Sequence, residues 1–73
     1  MTFEEAALFL DKTVMLRLHD GEVSKVKIVW VSDEYQDITV DVLETNNTVN
    51  YHDPKAAYVI PVADIKSIEE IST

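Results

Sequence analysis

Apolar and polar residues alternate with a period of two through the segment from Thr13 to Val31, with one interruption at its centre. The apolar positions that share one face of this pattern are Val14, Leu16, Leu18, Val26, Ile28 and Trp30. The interruption, His19-Asp20-Gly21-Glu22, contains the only glycine of the chain. Asp-Gly favours a tight turn because glycine adopts a positive φ without a Cβ clash. The segment therefore predicts a β-hairpin with one buried face.

Shorter patterns on both sides of the hairpin predict the elements that cover it. Thr2-Phe3-Glu4-Glu5 has the spacing of a capping box, which predicts a short helix within residues 1–11. This helix is too short to be stable alone in water, so it is expected to lie on the sheet. Apolar runs predict a third strand at 38–42 and a fourth at 56–60, and the polar segment between them is the longest loop.

The last part of the chain, residues 64–71, fits two structures. Ile65, Ile68 and Ile71 are spaced by three, which favours a helix, whereas a 3₁₀ turn at 61–64 followed by a strand at 66–71 fits equally well. The strand is preferred, because four strands would leave an exposed sheet edge that a fifth strand would close.

The chain has 73 residues, which predicts a single domain, 1–73, with a small core. Domains of this size are usually stabilised by disulfides, metals or oligomerisation. The chain has no cysteine and cannot form disulfides, which favours oligomerisation. The acidic amino terminus does not have the pattern of a signal peptide, and no apolar run approaches the roughly 20 residues that span a bilayer. These features predict a cytoplasmic protein with no membrane contact.

No residue pattern indicates catalysis, a cofactor or a metal site. The serines lack a neighbouring histidine in a triad pattern, and the carboxylates are spread as on a charged surface. His19-Asp20 and His52-Asp53 have metal-ligating side chains, but their spacing matches no zinc or calcium motif. We therefore expect a non-enzymatic protein with no cofactor.

The order helix, hairpin, third strand, fourth strand, one-turn helix and fifth strand resembles that of the Sm-like proteins. Lys12–Glu22 is similar to the first strand and Asp-Gly turn of that family, and Asp33–Val40 is similar to its first sequence motif. The resemblance implies a mainly β fold: a five-stranded, bent, antiparallel barrel of the SH3 type over 13–71, with a short N-terminal α-helix.

In the family, the first motif helps to bind uridine-rich RNA through an aromatic or histidine side chain and an asparagine. The resemblance assigns the stacking role to Tyr35 and the asparagine position to Asp37, which accepts hydrogen bonds but donates none. Lys25 and Lys27 share one strand face and are the cations expected to assist. A formal net charge of −8 disfavours RNA binding. The Arg-Gly of the family's second motif is also missing, because this chain has Ile60-Pro61-Val62-Ala63-Asp64 at that place.

The resemblance further implies a homo-oligomeric ring of five to seven subunits, in which the fourth strand of one subunit pairs with the fifth strand of the next. The residues expected at this interface are Tyr58, Val59, Ile60, Val62 and Ile68. The alternative is an SH3-like adaptor or regulatory domain that binds an extended protein segment at a sheet edge or at its aromatic residues. Whether Trp30 lies in the core or in a subunit contact is left open by the sequence.

Overall fold

The computed structural model describes residues 1–49, 51 and 57–71. Five antiparallel strands form one sheet in the order β4-β3-β2-β1-β5, preceded by one short helix. The elements are α1 (Phe3–Ala7), β1 (Thr13–Leu18), β2 (Val23–Ser32), β3 (Asp37–Thr45), β4 (Ala57–Pro61), a 3₁₀ turn (Val62–Asp64) and β5 (Ile65–Glu70). The predicted element order and mainly β class are confirmed.

The central hairpin forms where the alternation predicts it. β1 and β2 pair antiparallel, and Gly21 between them has a φ of +96°, as its role in the turn requires. The Asp20 side chain stabilises the turn, because its Oδ1 accepts a hydrogen bond of 2.9 Å from the Glu22 N–H. Leu18 N–H donates to the Glu22 carbonyl at 2.9 Å and closes the loop.

The core lies on one face of the sheet and consists mainly of branched aliphatic side chains that alternate along the strands. Its buried members are Ala6, Val14, Leu16, Leu18, Val26, Ile28, Ile38, Val40, Ile60, Val62 and Ile65. Phe3 and Phe9 pack against this cluster from the amino-terminal segment. Full burial of each large aliphatic side chain contributes about 1.5 to 3 kcal/mol, so this face is the main source of stability.

One residue of the hairpin pattern does not face the core. The register between β2 and β3 pairs Ile28 with Val40 but Trp30 with Thr39, so Val29 is an extra residue in β2. Such a bulge breaks the alternation and turns the following side chain to the other face. Trp30 is consequently 65% exposed on the outer face, and the prediction that it shares a face with Ile28 is wrong.

The amino-terminal helix is shorter than the predicted range 1–11. Its capping box is confirmed: Glu5 N–H donates to Thr2 Oγ1, and Thr2 N–H donates to Glu5 Oε1, each at 3.2 Å. The helix ends at Ala7, and three turn residues lead to Asp11, whose φ of +67° redirects the chain. Asp11 N–H then donates to the Ile28 carbonyl at 2.7 Å, which ties the segment to β2 instead of extending the helix.

The carboxy-terminal segment is a strand, as preferred, but it does not close the sheet. β5 pairs antiparallel with β1, on the side of the sheet opposite to β4. Within the described residues, β4 and β5 are the two outer strands and do not pair with each other. The expectation that a fifth strand closes the open edge is therefore wrong, because adding β5 to β1 moves the edge without removing it.

Candidate interaction surface at the sheet edges

The five residues predicted at a subunit interface lie on or beside the two outer strands, but they differ in exposure. Ile60 and Val62 are buried in the core. Tyr58 and Ile68 are half-buried and pack against it. Val59 is 61% exposed. The β4 edge therefore presents its backbone and the Val59 side chain, while its neighbours Tyr58 and Ile60 hold the strand on the core.

The backbone N–H and C=O groups of successive β4 residues point alternately towards β3 and towards the open side of the sheet. Val62 N–H donates to the Gln36 carbonyl at 2.9 Å. This bond continues the register in which β4 residues pair with β3, for example Val59 with Thr39. Because successive residues of an antiparallel strand direct their N–H and C=O groups to opposite sides, Ile60 faces β3 in the same way as Val62. The N–H and C=O of Val59 consequently face the open side.

An exposed row crosses the outer face of the sheet and ends at this edge. Trp30 pairs with Thr39, which pairs with Val59, so the three side chains lie side by side on β2, β3 and β4. Trp30 and Val59 are both exposed, and Thr39 is half-buried between them. The bulge at Val29 thus adds a tryptophan to the outer surface beside an open strand edge, a combination typical of contact surfaces.

The turn that joins β2 to β3 carries the predicted RNA-stacking residue. Tyr35 is 72% exposed, and the turn is held by Gln36, which has a φ of +53° and donates from Nε2 to the Asp33 carbonyl at 2.6 Å. Asp37 follows at the start of β3, opposite Pro61. The structure therefore brings Tyr35 and Asp37 to the end of the sheet beside the 3₁₀ turn.

The two lysines proposed to assist RNA binding lie elsewhere. Lys25 pairs with Glu44, and Lys27 pairs with Asp41, in the first half of β2. At about 3.3 Å per residue, roughly 15 to 25 Å of strand separates them from the turn that carries Tyr35. The four predicted RNA-binding residues thus form two separate groups, each with acidic neighbours.

A buried carboxylate at the opposite end of the sheet was not singled out by the sequence pattern. Glu22 is 4% exposed, and its two oxygens accept hydrogen bonds from Ser24 Oγ at 2.9 Å and Asn47 Nδ2 at 3.1 Å. Ser24 Oγ also lies 2.7 Å from Thr45 Oγ1. A signal was present, because Glu22 and Ser24 continue the inward-facing alternation of Val26 back into the turn.

Tyr51 extends this cluster towards β4. Burial, and next a hydrogen bond to the Glu22 side chain, raise the pKa of Tyr51 well above its ordinary value. Its ring packs edge-to-face on Tyr58, with centroids 4.9 Å apart and an interplanar angle of 88°. Glu22 therefore links the hairpin turn, the end of β3 and the segment that precedes β4.

The raised pKa of Tyr51 predicts a loss of stability in alkaline solution. Below pH 10, the ordinary value, the tyrosine is neutral in both states and its contribution is fully present. Above that pH the unfolded chain releases the proton while the folded chain retains it, so the free energy of unfolding falls with rising pH. The slope stays below the one-proton limit of about 1.4 kcal/mol per pH unit, because the ring is partly exposed.

Urea unfolding followed by circular dichroism between pH 8 and pH 11 measures this slope. Tyr51→Phe is expected to flatten it, and Tyr35→Phe, which removes an exposed phenol, is the matched control. An equal slope in the parent and in Tyr51→Phe would contradict the assignment.

The described residues form neither a cluster of metal-ligating side chains nor a membrane-spanning helix. Residues 1–49, 51 and 57–71 contain no group of three or more His, Cys, Asp or Glu side chains that could hold a metal ion. The pair His52-Asp53 lies outside the described residues. Within the same ranges, no helix has the length and apolar character needed to cross a membrane.

Comparisons of the chain with protein-family models, with curated proteins and with solved structures find no match. The geometry of the sheet edges and the charge around them are therefore the features from which a function is inferred.

Proposed function

We propose that this protein is a non-enzymatic, Sm-like interaction module that assembles into a homo-oligomeric ring of five to seven subunits. The β4 edge of one subunit pairs with the β5 edge of the next. The observation that carries the proposal is the strand order β4-β3-β2-β1-β5, which leaves one open edge at each end of the sheet. A pairing between two different edges is head-to-tail, and it forms a ring when the rotation between subunits closes.

The bent, SH3-type barrel that we propose for the subunit is supported by irregularities in the strands. The register shifts between Arg17 and Leu18 on the β5 side of β1, and twice along β2, near Lys25 and near Val29. Bulges of this kind bend a strand and increase its twist. They allow one five-stranded sheet to curve around the core while its outer strands remain available to neighbours.

Edge chemistry also supports pairing between β4 and β5. β4 carries no charged side chain between Ala57 and Pro61, so no like charge faces an approaching strand within β4 itself. An open strand edge with unprotected backbone groups is a template for another strand. In this proposal, self-association occupies both edges and offsets the small core of a 73-residue chain.

Electrostatic repulsion opposes this assembly. Each chain has a formal charge of −8, so a ring of six, taken as six times −8, carries −48. Salt screens repulsion between exposed charges, with a Debye length of about 10 Å at 0.1 M. Assembly is therefore expected to tighten, and not to weaken, as salt is added.

Light scattering on a sizing column, at 20 mM and 500 mM NaCl, tests the proposal. Five to seven copies of the 8.3 kDa chain give a mass of about 42 to 58 kDa, that is, five to seven times 8.3. We expect a discrete mass in this range, populated at lower protein concentration in high salt. A monomer at both salt concentrations, or an assembly that dissociates in high salt, would contradict the ring.

RNA binding has less support than assembly. Tyr35 is exposed enough to stack on a base, but Asp33, Glu34 and Asp37 surround it in sequence, and Lys25 and Lys27 lie at the far end of β2. Without cations near the stacking residue, phosphate contacts contribute little affinity. We therefore place RNA second to protein contacts.

A further inference from the structure

The outer face of the sheet beside β4 has two aspartates, of which Asp41 is exposed and Asp37 is half-buried. Asp37 pairs with Pro61, and Asp41 pairs with Ala57, so each carboxylate has an uncharged residue between it and the open edge. The exposed Val59 lies between these two positions on the same face. The outer face beside the β4 edge thus has an acidic side chain of β3, the apolar Val59 of β4 and a second acidic side chain of β3, at intervals of two residues along the strands.

The surroundings are acidic over a long part of the chain. The described residues of this part of the chain, 28–49, 51 and 57–65, contain six carboxylates and no lysine or arginine. Lys27 pairs with Asp41 from the β2 side and offsets part of its charge, whereas Asp37 has the uncharged Ser32 as its β2 neighbour. The open side of β4 therefore has a negative field that repels acidic strands and attracts basic ones.

The backbone at the edge can accept an added strand at its centre. Val59 directs both its N–H and its C=O to the open side, because the hydrogen bond from Val62 to Gln36 places the alternate residues of β4 towards β3. Pro61 faces the same side and offers only its carbonyl, which limits pairing at that end. A partner strand would be centred on Val59 and would extend about two residues to either side.

We infer that the β4 edge binds an extended basic segment of another protein as an added strand. The segment has the alternation basic-x-apolar-x-basic. Its apolar residue lies opposite Val59 and continues the row that includes Thr39 and Trp30. The two basic residues lie opposite Ala57 and Pro61 and reach over them to Asp41 and Asp37. Strands are about 4.8 Å apart, so an added strand is about 10 Å from β3, a distance that a lysine and an aspartate side chain together span.

A second copy of this chain can pair with the same edge through its backbone, but its β5 side chains do not supply the two flanking cations of the inferred segment. The residues of β5 that pair with Arg17 and Met15 are Ser67 and Glu69, and the exposed Lys66 lies at the register shift beside Ser67. β5 therefore presents one lysine, a hydroxyl and a carboxylate, whereas the two aspartates of β3 favour two cations. The inferred segment binds the same β4 edge that the proposed ring uses, but its binding requires only a free β4 and not the ring itself. Competition between the segment and the β5 strand of a second subunit rests on the proposed function.

The test uses a labelled peptide, Ser-Lys-Thr-Leu-Thr-Lys-Ser, titrated with the parent protein at 20 mM NaCl and followed by fluorescence anisotropy. We expect saturable binding that weakens with added salt, and slower amide hydrogen exchange at Val59 in the complex. A peptide of the same composition with adjacent lysines, Ser-Thr-Lys-Lys-Leu-Thr-Ser, is the spacing control. Equal binding of the two peptides would overturn the inference, because it would show only charge attraction.

The protein variants locate the contact. Asp37→Asn combined with Asp41→Asn is expected to weaken binding about fivefold, as expected for two exposed ion pairs of about 0.5 kcal/mol each. The control, Glu4→Gln combined with Asp11→Asn, removes the same charge at exposed residues outside both edge strands and is expected to bind as the parent does. Equal affinities of the two double variants would place the peptide elsewhere and overturn the inference.

Light scattering with and without the peptide separates the inference from the ring. A monomeric protein that binds the peptide would refute the ring and retain the inference. A ring that forms and binds no peptide at any concentration would retain the ring and refute the inference. If both hold, excess peptide is expected to shift the mass towards the monomer, since peptide and β5 use the same edge.

Discussion

Replacing Val59 with proline is expected to leave the protein monomeric under conditions in which the parent chain assembles. Proline has no N–H and therefore cannot donate to a strand that pairs with it. Val59 directs its N–H to the open side of β4, so this substitution removes a bond between subunits and none to β3. The proline ring also obstructs an approaching strand, and the expected effect is a complete loss of the oligomeric mass.

Two further variants at this strand make the experiment specific. Val59→Thr keeps the N–H and a β-branched side chain, so we expect it to assemble like the parent. Tyr58→Pro removes an N–H that faces β3, so it is expected to destabilise the subunit itself. Light scattering gives the mass and circular dichroism reports the fold. Assembly of folded Val59→Pro at the parent mass would show that β4 is not the contact.

The local part of the fold could be predicted because its determinants are close in sequence. The hairpin required only alternation on both sides of Asp20-Gly21, and the capping box required only Thr2 and Glu5, three residues apart. In both cases the hydrogen bonds form between neighbours, so the residues that specify the structure also lie within it. The strand at 65–70 was one of two alternatives, and its pairing with β1 decided between them.

Features that depend on distant residues could not be predicted in the same way. Trp30 faces outward because β2 has one residue more than β3 across from it, a mismatch that appears only when the two strands are aligned. The segment after Ala7 is held in a turn by a hydrogen bond from Asp11 to Ile28, which lies in another strand. No pattern within residues 1–11 contains that information.

The candidate site was predicted in outline. The apolar run at 56–60, followed by a 3₁₀ turn, predicts a strand that the structure places at Ala57–Pro61, but the sequence does not show which of Val59 and Ile60 faces the core. The pairing of Val59 with Thr39 and Trp30 provides that information, and so does the hydrogen bond from Val62 to Gln36. A sheet edge is a property of the pairing order, so its exposed groups follow from topology and not from composition.

Glu22→Ala is expected to lower the free energy of unfolding by about 2 to 4 kcal/mol, the range for removing one partner of a buried charged hydrogen-bond network. The Glu22 carboxylate accepts hydrogen bonds from Ser24 and Asn47 and is hydrogen-bonded to Tyr51. The substitution therefore removes a hydrogen-bond partner from all three side chains. A chain of this size has only about 4 to 11 kcal/mol of stability in total, so the loss is a large fraction. Glu22→Gln keeps an acceptor for Asn47 and the shape of the side chain, and is expected to lose about half as much.

Stability and assembly are linked, so this measurement belongs in the Val59→Pro background, where the mass does not change with protein concentration. Urea unfolding followed by circular dichroism gives the free energy, and Glu44→Ala is the matched control, because Glu44 is exposed on β3 and its loss is expected to cost at most about 0.5 kcal/mol. If Glu22→Ala and Glu44→Ala unfolded at the same urea concentration, the buried carboxylate would not hold the hairpin turn to the end of β3. The expected difference would show that the Glu22 carboxylate stabilises the end of the sheet opposite the Tyr35 turn, where Asn46 also bonds to the backbone of Gly21 and Val23.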